Sequence, residues 1–504
     1  MGAEGALEGN STVTEKSITQ KIVHGMTWLF ALKLSTRGIG FASTLVLARI
    51  LSPADFGVLG IAMLSISLLQ TFSETGFEGA LIQKNGDIAG FLNSAWVIAV
   101  VRGACLTALL FFGAPMVASF FGSPMAGPIL KALAFVPLLN GLSNIGLVFF
   151  KKDLDFKKLF IFELCGQMIY VLVAVPLAFI HRNVWALALG TLASNLASLL
   201  VSYGIHSYRP AFRIDWKIAK ELFNFGKWLL GTHILLYLIN QGDNLFVGKI
   251  LGPAALGFYA MAYKISFLPV TELTFVTSKV MFPAYSRLQG NREKLREAYV
   301  GMLTVLSYVS IPLSGLVFLF AEDFVRIVLG AKWLSIFPII QVFAFSAMLR
   351  SVSSTTGALF QGIGRPDIVA KLVAMRLVII ALLIYPLTLI WGLVGTALAI
   401  LASNAVIDPL ALTLGGRMIG CDMKSFWTAL LCPLGNTLLC LAISVGVKAA
   451  FHQVHPLWRL VGISLIFASF YLATSYFLTH FFEYQPLALF KKIRIQGKAA
   501  PLSA

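Results

Sequence analysis

Lys33, Arg37, Gly40 and Thr44 recur at helical spacing in the apolar stretch from Ile22 to Leu51, so two cations and two small residues share one helix face. At 1.5 Å per residue the stretch is long enough to cross a bilayer. A charge at bilayer depth costs about 2.5–3.5 kcal/mol on insertion scales, and two cations a turn apart also repel. A lipid-facing helix would not keep them. The stripe is expected to look into protein or a wet cavity that wants an anion. Arg350 lies on a second stripe of this kind, Ser346, Arg350, Ser353 and Gly357, and Arg102, Lys131 and Arg376 are further basic residues in or near apolar spans. The competing reading for each is snorkelling to the headgroups or pairing with a buried carboxylate.

Acids supply those partners. Thr71, Glu74 and Glu78 share a helix face, which makes Glu74 and Glu78 candidate gate or charge partners of the first cations; Glu163, Glu272 and Asp408 are candidates for local pairs. Asp243 differs, since in NQGDN it stands among Asn240, Gln241 and Asn244. A carboxylate ringed by oxygen-bearing side chains can hold Na⁺ or carry H⁺, which makes Asp243, with Asn240 and Asn244, the candidate ion-coupling group; a structural hydrogen-bond hub is the alternative. No other cofactor is expected. The five cysteines form no CxxC pair, the histidines (His233 among them) are dispersed, and no metal-ligand or Ser–His–Asp spacing is present. A GxxxxGK[ST] phosphate loop is absent too, so neither catalysis nor ATP hydrolysis is expected.

The elements that position these residues follow from composition. The 504 residues are 58% hydrophobic and 12% charged, with a mean hydropathy of +0.84, more apolar surface than a soluble chain could hide. The reading is an all-α polytopic membrane protein of about fourteen transmembrane helices: 22–51, 56–82, 91–112, 126–150, 159–180, 184–208, 222–251, 257–282, 299–320, 336–360, 368–391, 392–418, 426–451 and 457–482. The net charge of +17 sits mainly in even-to-odd connections: Lys151, Lys152, Lys157 and Lys158; Arg209, Arg213, Lys217 and Lys220; Arg287, Arg292, Lys294 and Arg296. Positive-inside then places both termini in the cytoplasm, and nucleic acid is not the partner implied. The polar, acidic first 21 residues lack the order of a signal peptide, so helix 1 is expected to stay. No loop is long enough for a soluble catalytic domain. Pro269 and Pro283 in helix 8, Pro312 in helix 9 and Pro386 in helix 11 are expected to bend their helices.

An internal repeat organises the spans. ARILSPADFG near residue 50 and GKILGPAALG near residue 250 align Ile50 with Ile250, Pro53 with Pro253 and Gly57 with Gly257; a weaker echo pairs the LASN segments 192–195 and 401–404. The offset spans six helices, so the copies share one orientation across the membrane. The expected domains are an N-terminal tail (1–21), an N-lobe (22–208), a linker (209–221), a C-lobe (222–418) in parallel repeat, two added helices (426–482) and a basic tail (483–504). Two such lobes rocking about a cleft is the geometry of alternating access.

The segments ARILSPADFG, SETGFEGALIQ, FFKKDLDFKK, NQGDNLFVGKILGPAALGFYAMAYK, LGAKW and QGIGRPD resemble those of bacterial polysaccharide flippases of the multidrug/oligosaccharidyl-lipid/polysaccharide exporter superfamily, in the exopolysaccharide branch. The resemblance covers residues 21–482, less securely in the last two helices. It implies a fourteen-helix fold in the bacterial inner membrane that flips undecaprenyl-diphosphate-linked oligosaccharide to the periplasmic leaflet. Its partners would be that lipid and, beyond it, a polysaccharide polymerase and export machinery, with the monomer as the working unit. On this reading Lys33, Arg37, Arg350, Arg102, Lys131 and Arg376 are the candidates for the diphosphate, since Arg forks onto phosphate oxygens and Lys offers a point charge. A drug or cation antiporter of the same superfamily is the alternative, but it wants an acidic cavity and these stripes are basic. A membrane glycosyltransferase or polymerase is the third reading, weakened by the short loops.

Overall fold

The computed structural model describes residues 35–73, 81, 89–153, 155–451 and 455–481. Lys33, Glu74, Glu78, and the tails expected at 1–21 and 483–504 lie outside these residues. The described chain is helical throughout, with no strand, and nine of its helical stretches are long and apolar enough to cross a bilayer. It is a polytopic all-α membrane protein, and each span read from the sequence overlaps helix. Two compact units divide it, Met1–Gly257 and Phe258–Ala504.

The first unit holds α1 (residues 35–50), α2 (Pro53–Phe72), α3 (Ala89–Phe120), α4 (Ala126–Leu133), α5 (Val136–Leu142), α6 (Leu147–Lys152), α7 (Phe156–His181), α8 (Trp185–Ile205) and α9 (Trp216–Ile250). Here the fourth expected span is corrected, because residues 126–150 form three short helices rather than one rod. The cause is local. Pro137 sits in the first turn of α5, and the Asn144 side chain accepts from the Gly146 N–H, turning the chain after Ser143. Lipid offers no water to the carbonyls this frees, so side chains serve them. Thr107 donates to the Ala134 carbonyl (2.7 Å), and Tyr203 (2.9 Å) and Trp96 (3.4 Å) both donate to that of Leu142. α7 and α8 form a hairpin closed by small residues: Gly190 lies against Ala174, and Ser194 donates to the Gly166 carbonyl at 2.8 Å. The end of α1 packs on that hairpin through Leu47, Leu51, Ala174, Ala178 and Leu187.

The second unit holds most of α10 (Pro253–Leu288), then α11 (Arg292–Phe324), α12 (Phe337–Gly362), α13 (Pro366–Ile419), α14 (Met423–Ala450) and α15 (Pro456–Phe481). The 54-residue α13 is two spans folded at Gly392, whose φ of +56° is open to glycine and strained for other residues. Thr388 and Thr396 hydrogen-bond across this fold at 2.8 Å, and Arg376 meets Asp408 farther along, each pair equally spaced from Gly392. The break falls at the boundary expected between spans 11 and 12. α10 runs on past Pro269 and Pro283, α11 past Pro312 and α13 past Pro386, without interruption. Hydroxyl pairs join α10, α11 and α12: Tyr285–Thr355 (2.7 Å), Tyr299–Thr356 (2.9 Å) and Ser310–Ser351 (2.6 Å). Asp323 at the end of α11 pairs with Lys448 of α14 (2.6 Å) and Arg459 of α15 (2.5 Å), and so ties the last two helices down.

The two turns that the repeat aligns meet each other. Ser52 caps α2 in a capping box with Asp55, and Gly252 turns the second copy at φ +83°. A Cβ on Gly57 would overlap the Pro253 carbonyl, and one on Gly257 would overlap that of Pro53. Each glycine thus lets the opposite turn approach to backbone contact. Gly57→Ala and Gly257→Ala are each expected to lower the thermal unfolding midpoint of the purified protein, by a loss of about 1–3 kcal/mol or more. Gly113→Ala, with open space around its Cα, is the control that should leave it unchanged.

Candidate functional site

In the second unit Arg350 stands near the midpoint of α12, half-buried in an apolar helix. Its Nη1 donates to the Tyr263 hydroxyl at 3.5 Å. Tyr263 is itself fixed by stacking on Phe267 (4.3 Å between ring centres) and by the edge of Phe343 (5.5 Å). Among the described residues no carboxylate is in ion-pair range of Arg350. Arg376 has the opposite environment. Its guanidinium is paired with Asp408 at 2.5 Å, with side-chain exposures of 15% and 3%. Ser353 joins the two groups, donating to Asp408 Oδ1 at 2.9 Å while lying one turn from Arg350. Arg350 is therefore a cation with spare charge, and Arg376 a cation already neutralised.

Four buried polar atoms lack a protein hydrogen-bond partner here, Arg376 Nε and Asp408 Oδ2 of the pair itself, and Ser346 Oγ and Asn404 Nδ2 one turn before Arg350 and Asp408. Buried donors and acceptors are ordinarily satisfied, and each such exception costs about 1–3 kcal/mol. A cluster of them beside an unneutralised arginine suits a phosphate or a hydroxyl-rich solute.

In the first unit Arg37 is exposed near the start of described α1. The rest of its stripe is tight: Thr44 donates back to the Gly40 carbonyl at 2.7 Å, and Gly40 lies beside the Gln167 amide of α7. Arg102 is half-buried on α3. Lys131 is exposed on α4 with its ammonium 5.6 Å from the Phe111 ring, the snorkelling arrangement with a cation–π contact. Asp243 is 8% exposed in α9 and accepts the Asn244 N–H at 2.8 Å. Asn244 donates to Gln241 at 3.0 Å, and its carbonyl oxygen is buried without a protein partner. Asn240 turns to the exposed side, where its amide donates to the Leu236 carbonyl at 2.7 Å. So Asp243 and Asn244 share one buried patch and Asn240 does not join it. Each unit groups its own candidates: Arg350 with Arg376 and Asp408 in the second, Asp243 with Asn244 in the first. Tyr263 and Asn404 were missed from sequence. Tyr263 lies in the AMAYK segment, but nothing in its spacing foretells that α10 delivers it to Arg350.

Breaking the Arg376–Asp408 pair separates its structural role from any role in binding. Asp408→Leu alone strands a buried cation and is expected to cost about 3–5 kcal/mol of stability. Arg376→Met/Asp408→Leu should recover most of that loss. Thermal unfolding in detergent reads both, and a double variant no better than the single would show that the pair is not a closed unit.

With the geometry described, the chain can be placed among known proteins. The family described as polysaccharide biosynthesis protein matches residues 46–338, more than half of the chain. The lipopolysaccharide biosynthesis protein WzxC of Escherichia coli K12 is 28% identical over 364 residues, covering 70% of this chain and 73% of that protein. The teichuronic acid biosynthesis protein TuaB of Bacillus subtilis is 24% identical over 358 residues, again 70% of this chain and 73% of its own length. Among solved structures the lipid II flippase MurJ in an inward closed conformation superposes with a TM-score of 0.74 at 15% identity, over 90% of this chain and 99% of that one, which shows a shared fold. The chain belongs to the polysaccharide biosynthesis protein family.

Proposed function

We propose that this protein flips undecaprenyl-diphosphate-linked oligosaccharide repeat units from the cytoplasmic to the periplasmic leaflet of the bacterial inner membrane, by alternating access, for exopolysaccharide or lipopolysaccharide assembly. The observation that carries the reading is Arg350: a half-buried guanidinium at mid-span, steadied by a tyrosine hydroxyl, with no carboxylate in ion-pair range among the described residues. A headgroup diphosphate satisfies it through two parallel N–H···O bonds. Lys33 and Arg37 of the stripe read from the sequence are further candidate cations, and Arg102, Lys131 and Arg376 take secondary places. The orphaned Asn404 amide and Ser346 hydroxyl suit sugar hydroxyls or phosphate oxygens. The polyprenyl tail needs no protein site, because it stays in lipid. Glu74 and Glu78 are read as the acids that hold the helix 1 cations until phosphate displaces them.

Energetics favour this direction. One charge moving through 100 mV is worth about 2.3 kcal/mol, so a dianionic diphosphate leaving a negative cytoplasm gains on the order of 4–5 kcal/mol. Coupling to H⁺ or Na⁺ at Asp243, with Asn244 beside it, would add to that drive. Positive-inside charge places both termini in the cytoplasm, and a polysaccharide polymerase and export machinery are the partners downstream of a protein working as a monomer. A cation-exporting antiporter is the poorer reading, since Arg350 would repel its cargo.

A deletion strain is expected to accumulate lipid-linked repeat unit on the cytoplasmic side, rescued by the wild-type gene and by Arg350→Lys in part. Arg350→Ala and Lys33→Ala/Arg37→Ala should each lower flipping at least about tenfold, the loss of one charge-assisted bond of roughly 1.5–3 kcal/mol. Asp243→Asn should keep folding and lose ion dependence. Unimpaired polymer export in the deletion strain, with no redundant carrier, would refute the assignment.

A further inference from the structure

The segment joining α8 to α9 is held more firmly than a loop between spans requires. Asn144 donates to the carbonyls of His206 (3.3 Å) and Tyr208 (2.7 Å), and Arg209 Nη1 donates to the same two at 2.7 and 3.0 Å. Farther on, Asn93 Oδ1 accepts from the Tyr208 hydroxyl (2.7 Å) and the Ala211 N–H (2.8 Å), and Ser94 accepts from the Asp215 N–H (2.9 Å). Phe212 lies edge-on to Trp96 at 4.8 Å. The start of α3 thus pins the loop at three points. On this pinned backbone Phe212 and Trp216 are 76% and 77% exposed. Two large aromatics held outward in this way are a cost in water and a gain where lipid headgroups meet acyl chains.

The charges gather at the same place. His206 stacks on Phe149 at 5.7 Å and meets Phe150 edge-on, and Lys158 lies 5.1 Å from the Phe150 ring, so the α6–α7 connection packs against the start of this loop. Residues 149–158 and 206–217 together carry seven Lys and Arg against Asp153, Asp155 and Asp215. Burial, then the fields of Lys158 and Arg209, push the His206 imidazole below its ordinary range. Loop orientation alone would explain an excess of cations; it does not explain a pinned loop with two exposed aromatics beside them.

We propose that the α6–α7 and α8–α9 connections form a docking surface for anionic phospholipid headgroups, with Phe212 and Trp216 seated at the acyl boundary and the exposed Arg213 facing the headgroup phosphates, beside Lys158, which shares its charge with Asp155 at 3.4 Å, and Arg209, whose Nη1 is held by the loop carbonyls. Charge complementarity selects the occupant, and the aromatic pair fixes its depth. Such a surface anchors the rim of the first unit to the leaflet it faces. It does not depend on which saccharide is carried.

Lipid retained by the full-length protein, purified in mild detergent from membranes holding equal phosphatidylglycerol and phosphatidylethanolamine, tests the proposal by native mass spectrometry. Wild type is expected to retain phosphatidylglycerol in preference. Arg213→Gln should lower its retention about fivefold, the equivalent of about 1 kcal/mol per surface cation, and Lys158→Gln/Arg213→Gln should lower it further. Arg213→Lys should keep it, and Phe212→Ser/Trp216→Ser should reduce retention of both lipids. Equal retention of the two lipids by wild type overturns the proposal. So does an equal loss in Arg326→Gln, a control cation outside this surface, or phosphatidylglycerol retention unchanged in the double charge variant.

Discussion

The bilayer core has no water to satisfy polar groups, and this constraint organises the described structure. Where a helix breaks, protein must replace the missing partner. The three-piece segment at 126–152 is possible because Thr107, Trp96 and Tyr203 reach the carbonyls it frees. Where a charge enters a span, a counter-charge accompanies it: Asp408 for Arg376, and Asp323 shared by Lys448 and Arg459. Against that background Arg350 stands out, since it meets a neutral tyrosine hydroxyl at the long end of hydrogen-bond range. That departure is the ground on which Arg350 is proposed to meet an anion.

Packing obeys the same constraint in another form. Lipid tails are as apolar as leucine, so helices gain little from burying apolar faces against each other and rely on close approach and on hydroxyl bonds. Gly190 on Ala174, Gly166 beside Ser194 and Ser198, and the Gly57 and Gly257 contacts each remove a side chain to bring backbones together. The Tyr285–Thr355, Tyr299–Thr356 and Ser310–Ser351 pairs then lock α10 and α11 onto α12. The reciprocal meeting of the turns at Pro53 and Pro253 is what a local two-fold relation between repeated segments produces, and it needs a glycine in both copies.

Much of this was legible in the sequence, for reasons that differ from element to element. Apolar length gave the spans, because a bilayer sets a minimum run of about 20 residues whatever the tertiary contacts. The fold at Gly392 was legible because two spans without a polar linker still need a residue free to take positive φ. The breaks near Ala134 and Ser143 were not, since they depend on Thr107 and Tyr203 being brought near by other helices. The prolines do not end their helices. A proline removes one backbone donor, yet α10 and α11 absorb the loss without ending. Stripes of cations showed which faces carry charge but not which charges are neutralised. Arg350 and Arg376 look alike in sequence, and only the fold brings Asp408 to one of them. Asn240 and Asn244 both flank Asp243, but helix geometry half-buries Asn244 and exposes Asn240.

That difference between two arginines bears on the anion site proposed above. An anion approaching Arg376 meets a guanidinium already engaged by a carboxylate that is 3% exposed, so it must either displace Asp408 into an apolar interior or accept a neutral pair as its host. The first alternative strands a buried charge at about 3–5 kcal/mol, and the second offers little attraction. An anion approaching Arg350 displaces a single neutral hydroxyl bond and gains a charge-assisted one in its place, roughly twice as strong. Ser353, which holds Asp408 on one side and lies a turn from Arg350 on the other, keeps the carboxylate committed to Arg376 and away from Arg350. Arg350, Ser353, Arg376 and Asp408 of α12 and α13 thus supply a rigid, neutral pair beside a cation held by one neutral hydroxyl bond.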